Sequence, residues 1–287
     1  MRIGIIGLGL IGGSLGMALR ALKNSPPPLG EGRVGAVEVV GVARTPEAAA
    51  EAQRRGAVDQ ASTDPTSLIG TDLVVIATPI DQVRSTIERI APVMGSGTLI
   101  TDVTSVKRSV LEWARRLPHP AHFLGGHPVA GKAESGLAAA DAGLFRDEPW
   151  IFTPRPDQNL VPFSPWFELV RAIGARPVFL SAEEHDRQMA HLSHLAFTLS
   201  AAFAEAVDEN ADPGLGGPGY RSMTRLAAGD PAMYESISRE NRAALVAAID
   251  SLRLILDRYR DRIENGELLH ELFERQPLPS RVHEGRR

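Results

Sequence analysis

The feature that most constrains this chain is six residues long. Gly7-Leu8-Gly9-Leu10-Ile11-Gly12 stands directly behind the apolar run Ile3-Gly4-Ile5-Ile6 and ahead of a segment with helical apolar spacing. In a G-x-G-x-x-G placed between a strand and a helix, each glycine has a separate physical task. The first permits a tight turn, the second lets the backbone approach a pyrophosphate, and the third lets the helix pack close to the strand. The helix N-terminus then presents free N–H groups and a partial positive charge to the phosphates. A glycine-rich turn in this context predicts a dinucleotide site built from Gly7, Gly9, Leu10, Ile11 and Gly12.

The rest of the first 180 residues keeps the rhythm that such a site needs. Short runs rich in Val and Ile, at Ile3–Ile6, Val37–Ala43, Leu73–Thr78, Thr98–Val103, His122–Gly126, Trp150–Thr153 and Arg176–Leu180, lack polar alternation. Strands covered on both faces read this way. Segments with helical spacing lie between them: Ile11–Lys23, Pro46–Arg55, Asp81–Ile90 and Val106–Leu117. Thr45 followed by Pro46 is a helix cap followed by a proline in the first turn. Strand–helix alternation predicts an α/β fold, a Rossmann-type, doubly wound parallel sheet. Ser25–Arg33, with its prolines and glycines, reads as a solvated insertion far from the chemistry. After about Ser181 the pattern becomes helical. Leu245, Ile249, Leu252, Leu256, Tyr259 and Ile263 form one apolar stripe, and Met189–Val207 has a similar pattern. The expected organisation is a nucleotide-binding domain over 1–180 and an all-helical domain over 181–287, whose stripes suit a homodimer interface. Gln276–Arg287 is expected to fray.

Composition excludes several classes. With 287 residues there is enough chain for two cores, and a formal charge of −4 does not suit a polyanion such as nucleic acid. The absence of cysteine removes disulfides, thiolate metal sites and a cysteine nucleophile. No apolar run approaches a membrane span, and the first strand is too short for a signal peptide. A soluble, cytoplasmic protein is expected.

The motif calls for an acid at the end of the second strand to hold the ribose 2′-hydroxyl. Here the strand ends Val42-Ala43-Arg44, so the acid position holds Ala43 and an arginine follows. A guanidinium without the acid suits a 2′-phosphate, which favours NADP over NAD. The alternative is that Arg44 stacks on adenine and either cofactor is accepted. Thr78-Pro79 closes the next strand at the carboxyl edge, where ligands bind in open α/β sheets, and is expected to line the groove.

Two further segments leave strands toward the same edge: Thr101-Asp102-Val103-Thr104-Ser105-Val106-Lys107 and Gly125-Gly126-His127-Pro128-Val129-Ala130-Gly131. His127 is a candidate base, because imidazole titrates near neutrality. Ser105 is either a substrate contact or a helix cap. Arg225 is either a carboxylate grip or a surface ion pair. Lys107 either neutralises a nearby phosphate or carboxylate or is solvated. His191 and His194 stand three apart on a helix, but no third ligand occurs at a recognised spacing, so no metal is expected.

Taken in order, Gly-Leu-Gly-Leu-Ile-Gly-Gly-Ser, Ser105-Val106-Lys107, Gly125-Gly126-His127-Pro128, Ser193-His194-Leu195 and Met223-Thr224-Arg225-Leu226-Ala227 resemble the prephenate/arogenate dehydrogenase family of tyrosine biosynthesis across nearly the whole chain. The resemblance implies an oxidative decarboxylation. Hydride leaves C4 of a cyclohexadiene for NAD(P)⁺, the C4 hydroxyl loses its proton, and CO₂ departs as the ring becomes aromatic. It implies His127 as the base, Ser105 as a partner of the same hydroxyl, and Arg225, His194 and Thr104 as substrate contacts. Two departures bear on substrate choice: Phe197 replaces a second histidine and Ser222 an aspartate. Prephenate, arogenate or both are therefore open. Two rival readings fit the same chain: a 3-hydroxyacid-type dehydrogenase with a lysine base, and a dinucleotide-sensing module without catalysis.

Overall fold

The structure is a computed structural model and describes residues 1–22, 37–119, 122–132, 134–207, 212–267 and 270. The expected insertion at 25–33 and the expected frayed tail at 276–287 lie outside the described residues.

The alternation produces β1 (Arg2–Ile6), α1 (Leu10–Ala21), β2 (Glu38–Val42), α2 (Pro46–Arg54), β3 (Gln60–Ser62), β4 (Leu73–Ile76), α3 (Ile80–Ile90), β5 (Leu99–Asp102), α4 (Arg108–Trp113), β6 (Phe123–Pro128), β7 (Pro149–Thr153), α5 (Ser164–Ala172) and β8 (Arg176–Phe179). One eight-stranded sheet results, in the order β3-β2-β1-β4-β5-β6-β7-β8. The Thr45 hydroxyl caps α2 by accepting from Ala48 N at 3.2 Å. Apolar layers cover both faces. Leu15, Leu19, Trp150 and Trp166 lie in one, and Val83, Ile87, Val110 and Phe123 in the other.

Two expectations change. The sheet is not wholly parallel, because β7 runs antiparallel to β6 and β8 parallel to β7. A parallel return needs a crossover element, whereas the described residues between β6 and β7 hold only a short 3₁₀ turn at Leu137–Ala139. The short β3 was not expected. It has three residues, none of them buried, on the sheet's edge, so it carries no apolar signature.

The second half is helical, as expected. The Ser181 hydroxyl caps α6 (Ala182–Met189), which passes through a π turn at Ala190–His194 into α7 (Leu195–Glu205). Then come α8 (Pro218–Thr224), a 3₁₀ turn at Arg225–Ala228, α9 (Pro231–Glu240) and α10 (Arg242–Glu264). Phe197 of α7 and Ile237 of α9 enter the same apolar layer as Ile87 and Val110. On α10 only Leu245 and Ala248 are buried, while Leu254, Leu256 and Ile263 are more than half exposed. No helix among the described residues is long and apolar enough to cross a membrane.

Candidate active site

The glycine loop gives Gly7 and Gly12 the structural tasks expected of them. Gly7 adopts φ +92°, and a Cβ there would lie 2.6 Å from Ala77 O. A Cβ on Gly12 would lie 2.0 Å from Gly7 O, so only glycine lets α1 approach the turn. A Cβ on Gly9 would meet nothing within 4 Å among the described residues. The fold therefore does not require glycine at 9; the open space beside it is the cradle that a pyrophosphate would fill. Leu10 and Ile11 supply the first-turn N–H groups of α1. At the end of β2, Ala43 is buried with its N–H on Ser62 O, and Arg44 is exposed with no ion pair among the described residues. Thr78 Oγ1 is buried without a hydrogen-bond partner among the described residues, directly before Pro79 and α3. These residues fit a dinucleotide.

His127 was expected on a loop after its strand, but it lies within β6, opposite Ile151 of β7. β5 pairs with β6 only at Ile100–Phe123 and Thr101–Leu124, so β6 runs on past the end of β5, kept extended by β7. A buried ion pair fixes this overhang. Lys107 Nζ binds Asp102 Oδ2 and donates to Gly126 O at 2.6 Å, while Asp102 Oδ1 accepts from Gly126 N at 3.1 Å. Both backbone polar groups of the residue before His127 are thus held by one charge pair. The approach leaves no room for side chains: a Cβ on Gly125 would lie 2.2 Å from Thr153 Oγ1, and one on Gly126 2.6 Å from Asp102 O. Of the alternatives for Lys107, the carboxylate partner holds and the solvated one does not, since the side chain is fully buried. Burial lowers its pKa, and the Asp102 charge and hydrogen bond partly restore it. Thr104 is also buried; its hydroxyl donates to Asp102 Oδ2 and stands 3.1 Å from Lys107 Nζ.

The His127 ring packs edge-on against His185 of α6, with Nδ1 2.8 Å from His185 Nε2. His185 Nδ1 lies 2.8 Å from Asp186 Oδ1. The Asp186 carboxylate also accepts from Lys107 N at 2.7 Å and Arg108 N at 3.0 Å, and so caps α4 from the helical half. Ser105 is therefore not the helix cap, and its hydroxyl has no hydrogen bond among the described residues. Burial, then repulsion from His185, Lys107 and His194, pushes the His127 pKa well below the ordinary histidine value. Burial likewise lowers His185, with Asp186 opposing. His127 is a neutral imidazole at pH 7, and its Nε2 has no partner among the described residues.

His194, in the π turn, is fully buried. Asn241 Nδ2 lies 3.1 Å from its Nδ1, and the same amide donates to Asp186 O at 2.8 Å. An amide N–H on Nδ1 makes that nitrogen the acceptor, so Nε2 carries the proton. That Nε2–H is buried and makes no hydrogen bond of ordinary geometry among the described residues. Burial lowers the ring's pKa to about 4, opposed by the Asp186 charge and by the nearby Ser105 backbone. Phe197, where the second histidine would stand, stacks on Tyr234 with centroids 4.1 Å apart. Arg225 sits exposed on the 3₁₀ turn. The buried Ser200 hydroxyl of α7 positions that turn, donating to Met223 O and accepting from Ala227 N. Arg225 makes no ion pair among the described residues, so the surface-pair alternative does not hold, and Ser222 is exposed beside it.

Sequence reasoning missed Asp102, His185, Asp186 and Asn241. For α6 a signal existed: Ala182, His185, Asp186 and Met189 are its buried face, at helical spacing. Glu183-Glu184-His185-Asp186 instead reads as a solvated first turn. A cleft of about 1030 Å³ lined by Arg108, Trp113, Arg155, Ser181, Arg239 and Arg242 contains neither His127, Ser105, His194 nor Arg225.

A dinucleotide cradle with a neutral, unpartnered imidazole beyond the same sheet edge, faced by a helical half, defines a Rossmann-type dehydrogenase. Comparison with known proteins narrows the class. The profile for the prephenate dehydrogenase nucleotide-binding domain matches residues 32–179, and that for the prephenate dehydrogenase dimerization domain matches 181–275. Prephenate dehydrogenase of Bacillus subtilis is 31% identical, covering 92% of this chain and 70% of its own length. Cyclohexadienyl dehydrogenase of Zymomonas mobilis is 31% identical over 95% and 92%. The crystal structure of Synechocystis arogenate dehydrogenase superposes with a TM-score of 0.80 at 29% identity, covering 96% of each chain. The chain belongs to the prephenate dehydrogenase family. That membership displaces both the 3-hydroxyacid reading and the non-catalytic sensor.

Proposed function

We propose that this protein carries out the oxidative decarboxylation of prephenate, arogenate or both, the reaction that yields 4-hydroxyphenylpyruvate or tyrosine. The observation that carries the reading is His127: a neutral imidazole with a bare Nε2, held beyond the sheet's carboxyl edge by the Lys107–Asp102 pair. Nε2 accepts the C4 hydroxyl proton as hydride leaves that carbon. Ser105, its hydroxyl uncommitted, orients the same hydroxyl. The His194 Nε2–H donates to a substrate oxygen, and the Arg225 fork grips a carboxylate. Thr104 acts through Asp102, on which its hydroxyl lies. Loss of CO₂ is driven by aromatisation of the ring and leaves a phenolate oxygen, which takes the proton back from His127 Nε2 to give the 4-hydroxyphenyl product.

The nicotinamide dinucleotide supplies the hydride acceptor when bound. Gly7, Gly9, Leu10, Ile11 and Gly12 would hold its pyrophosphate, with Thr78 and Pro79 lining the groove. Arg44, exposed and following Ala43, favours NADP. Phe197 stacked on Tyr234 leaves an apolar wall where a histidine would discriminate the side chain, which favours acceptance of both substrates. The boundary falls at 180/181. Two copies pair through the exposed apolar residues of α10.

The test is spectrophotometric. Prephenate and arogenate are each mixed with NAD⁺ and NADP⁺, and the reduced cofactor is followed. Turnover with both substrates, faster with NADP⁺, is expected, and His127→Asn should lower it by at least about a hundredfold while cofactor still binds. No turnover in any pairing, or full turnover in His127→Asn, would refute the reading.

A further inference from the structure

The buried chain behind His127 has a direction. Asp186 acts as an acceptor in this chain: its carboxylate takes two backbone N–H groups, from Lys107 and Arg108, and lies against the His185 ring. His185 Nδ1 must therefore be the N–H end of the 2.8 Å contact, because a carboxylate beside a neutral imidazole accepts. In a neutral ring the other nitrogen, His185 Nε2, is then a bare acceptor. The 2.8 Å contact to His127 can be made only if His127 Nδ1 carries the hydrogen. That assigns the His127 proton to Nδ1 and leaves Nε2 bare.

We propose that His185, backed by Asp186, is a positioning residue that locks His127 in the Nδ1–H tautomer and so keeps its Nε2 free to accept the substrate proton. The proposal rests on the reading of His127 as the base. The logic is that of an orienting acid behind a catalytic histidine, with an imidazole inserted between the two. When Nε2 takes up the C4 hydroxyl proton, the O–H bond breaks and an N–H bond forms on His127. The resulting imidazolium already donates through Nδ1 to His185, whose own N–H points at the Asp186 charge. The carboxylate therefore stabilises a positive charge two rings away without contacting it. The other charged and titratable groups facing the two rings are Lys107 and Asp102 from the β5–α4 segment and His194 from the π turn. The lysine opposes the imidazolium and Asp102 offsets it.

The geometry also explains why one carboxylate serves two halves of the molecule. Asp186 fixes the N-terminus of α4 and the His185 ring together, so the helical half cannot shift against the sheet without releasing the tautomer.

The test compares His185→Leu, which removes the acceptor, with His185→Gln, whose amide oxygen can accept from His127 Nδ1. Nitrogen-15 NMR of histidine-labelled protein, with the His127 resonances assigned through His127→Asn, reads the tautomer without turnover. We expect Nδ1–H in the parent and in His185→Gln, and a shift toward the Nε2–H form in His185→Leu. In turnover, His185→Leu should lose about a hundredfold or more in kcat. The substrate KM should stay within about threefold, and His185→Gln should recover at least about tenfold of the loss. An Nε2–H signal for His127 in the parent refutes the lock, whatever the kinetics. So does a His185→Gln variant as slow as His185→Leu while the two unfold at the same temperature. An inactive parent, by contrast, would remove the base reading and leave the tautomer measurement standing.

Discussion

Lys107→Met tests whether the overhanging strand is held as described. The ammonium is fully buried with Asp102 Oδ2, Gly126 O and Thr104 Oγ1 around it. Methionine fills the space of the aliphatic stem, so little cavity arises and the loss is chiefly electrostatic. Breaking a buried ion pair from one side typically costs about 3–5 kcal/mol. Asp102 keeps three other donors, Thr104 N, Thr104 Oγ1 and Gly126 N, which places the effect near the lower end. The Gly126 carbonyl loses a donor as well, which adds about 1 kcal/mol. The sum is about 4 kcal/mol. With an unfolding entropy of roughly 2 cal/mol/K per residue, 287 residues give about 600 cal/mol/K, so Tm should fall by about 7 °C. Asp102→Asn combined with Lys107→Met removes both charges and should be more stable than Lys107→Met alone by about 2 kcal/mol, since no unpaired charge stays buried. At a temperature where Lys107→Met is folded, kcat should fall at least about tenfold, because His127 follows Gly126 in the same strand and small displacements of a reacting group are expensive. Differential scanning calorimetry, urea titration and the reduced-cofactor assay measure all three. A single variant within about 1 kcal/mol of the parent and fully active would refute the claim that this pair positions the base.

Two further predictions follow from other parts of the structure. His127, His185 and His194 all have folded pKa values below their unfolded value near 6.5, so as pH falls the unfolded chain binds protons that the folded one refuses and stability is lost below about pH 6.5. For His194, with a folded value of about 4, the full contribution is about 3 kcal/mol, reached once pH has passed through 4; urea midpoints that do not fall between pH 7.5 and 5 would contradict it. Gly9→Ala, with nothing within 4 Å of its Cβ, should leave Tm unchanged yet weaken dinucleotide binding by roughly tenfold, about 1.4 kcal/mol. Gly12→Ala, 2.0 Å from Gly7 O, should destabilise the fold itself, and equal effects of the two on Tm would refute the division of tasks.

Features under local control could be read from the chain alone. The glycine loop, the Thr45 cap of α2, the apolar strands, the helical second half and the apolar stripe of α10 depend on residues within a turn or two of one another, so periodicity and glycine conformation expose them. His127 and Ser105 could be named as candidates because each stands near where a strand meets the sheet's carboxyl edge. Arg225 and His194 became candidates only as parts of an ordered family pattern. Tertiary structure alone decided the rest. His185 reaches His127 across 58 positions, Asp186 caps α4 across 78, and Asn241 meets His194 across 47. The direction of β7, the burial of Lys107 and the tautomer of His127 all follow from such contacts. A charged residue in a chain of symbols is as compatible with water as with a partner; only packing removes the water and makes the partner obligatory.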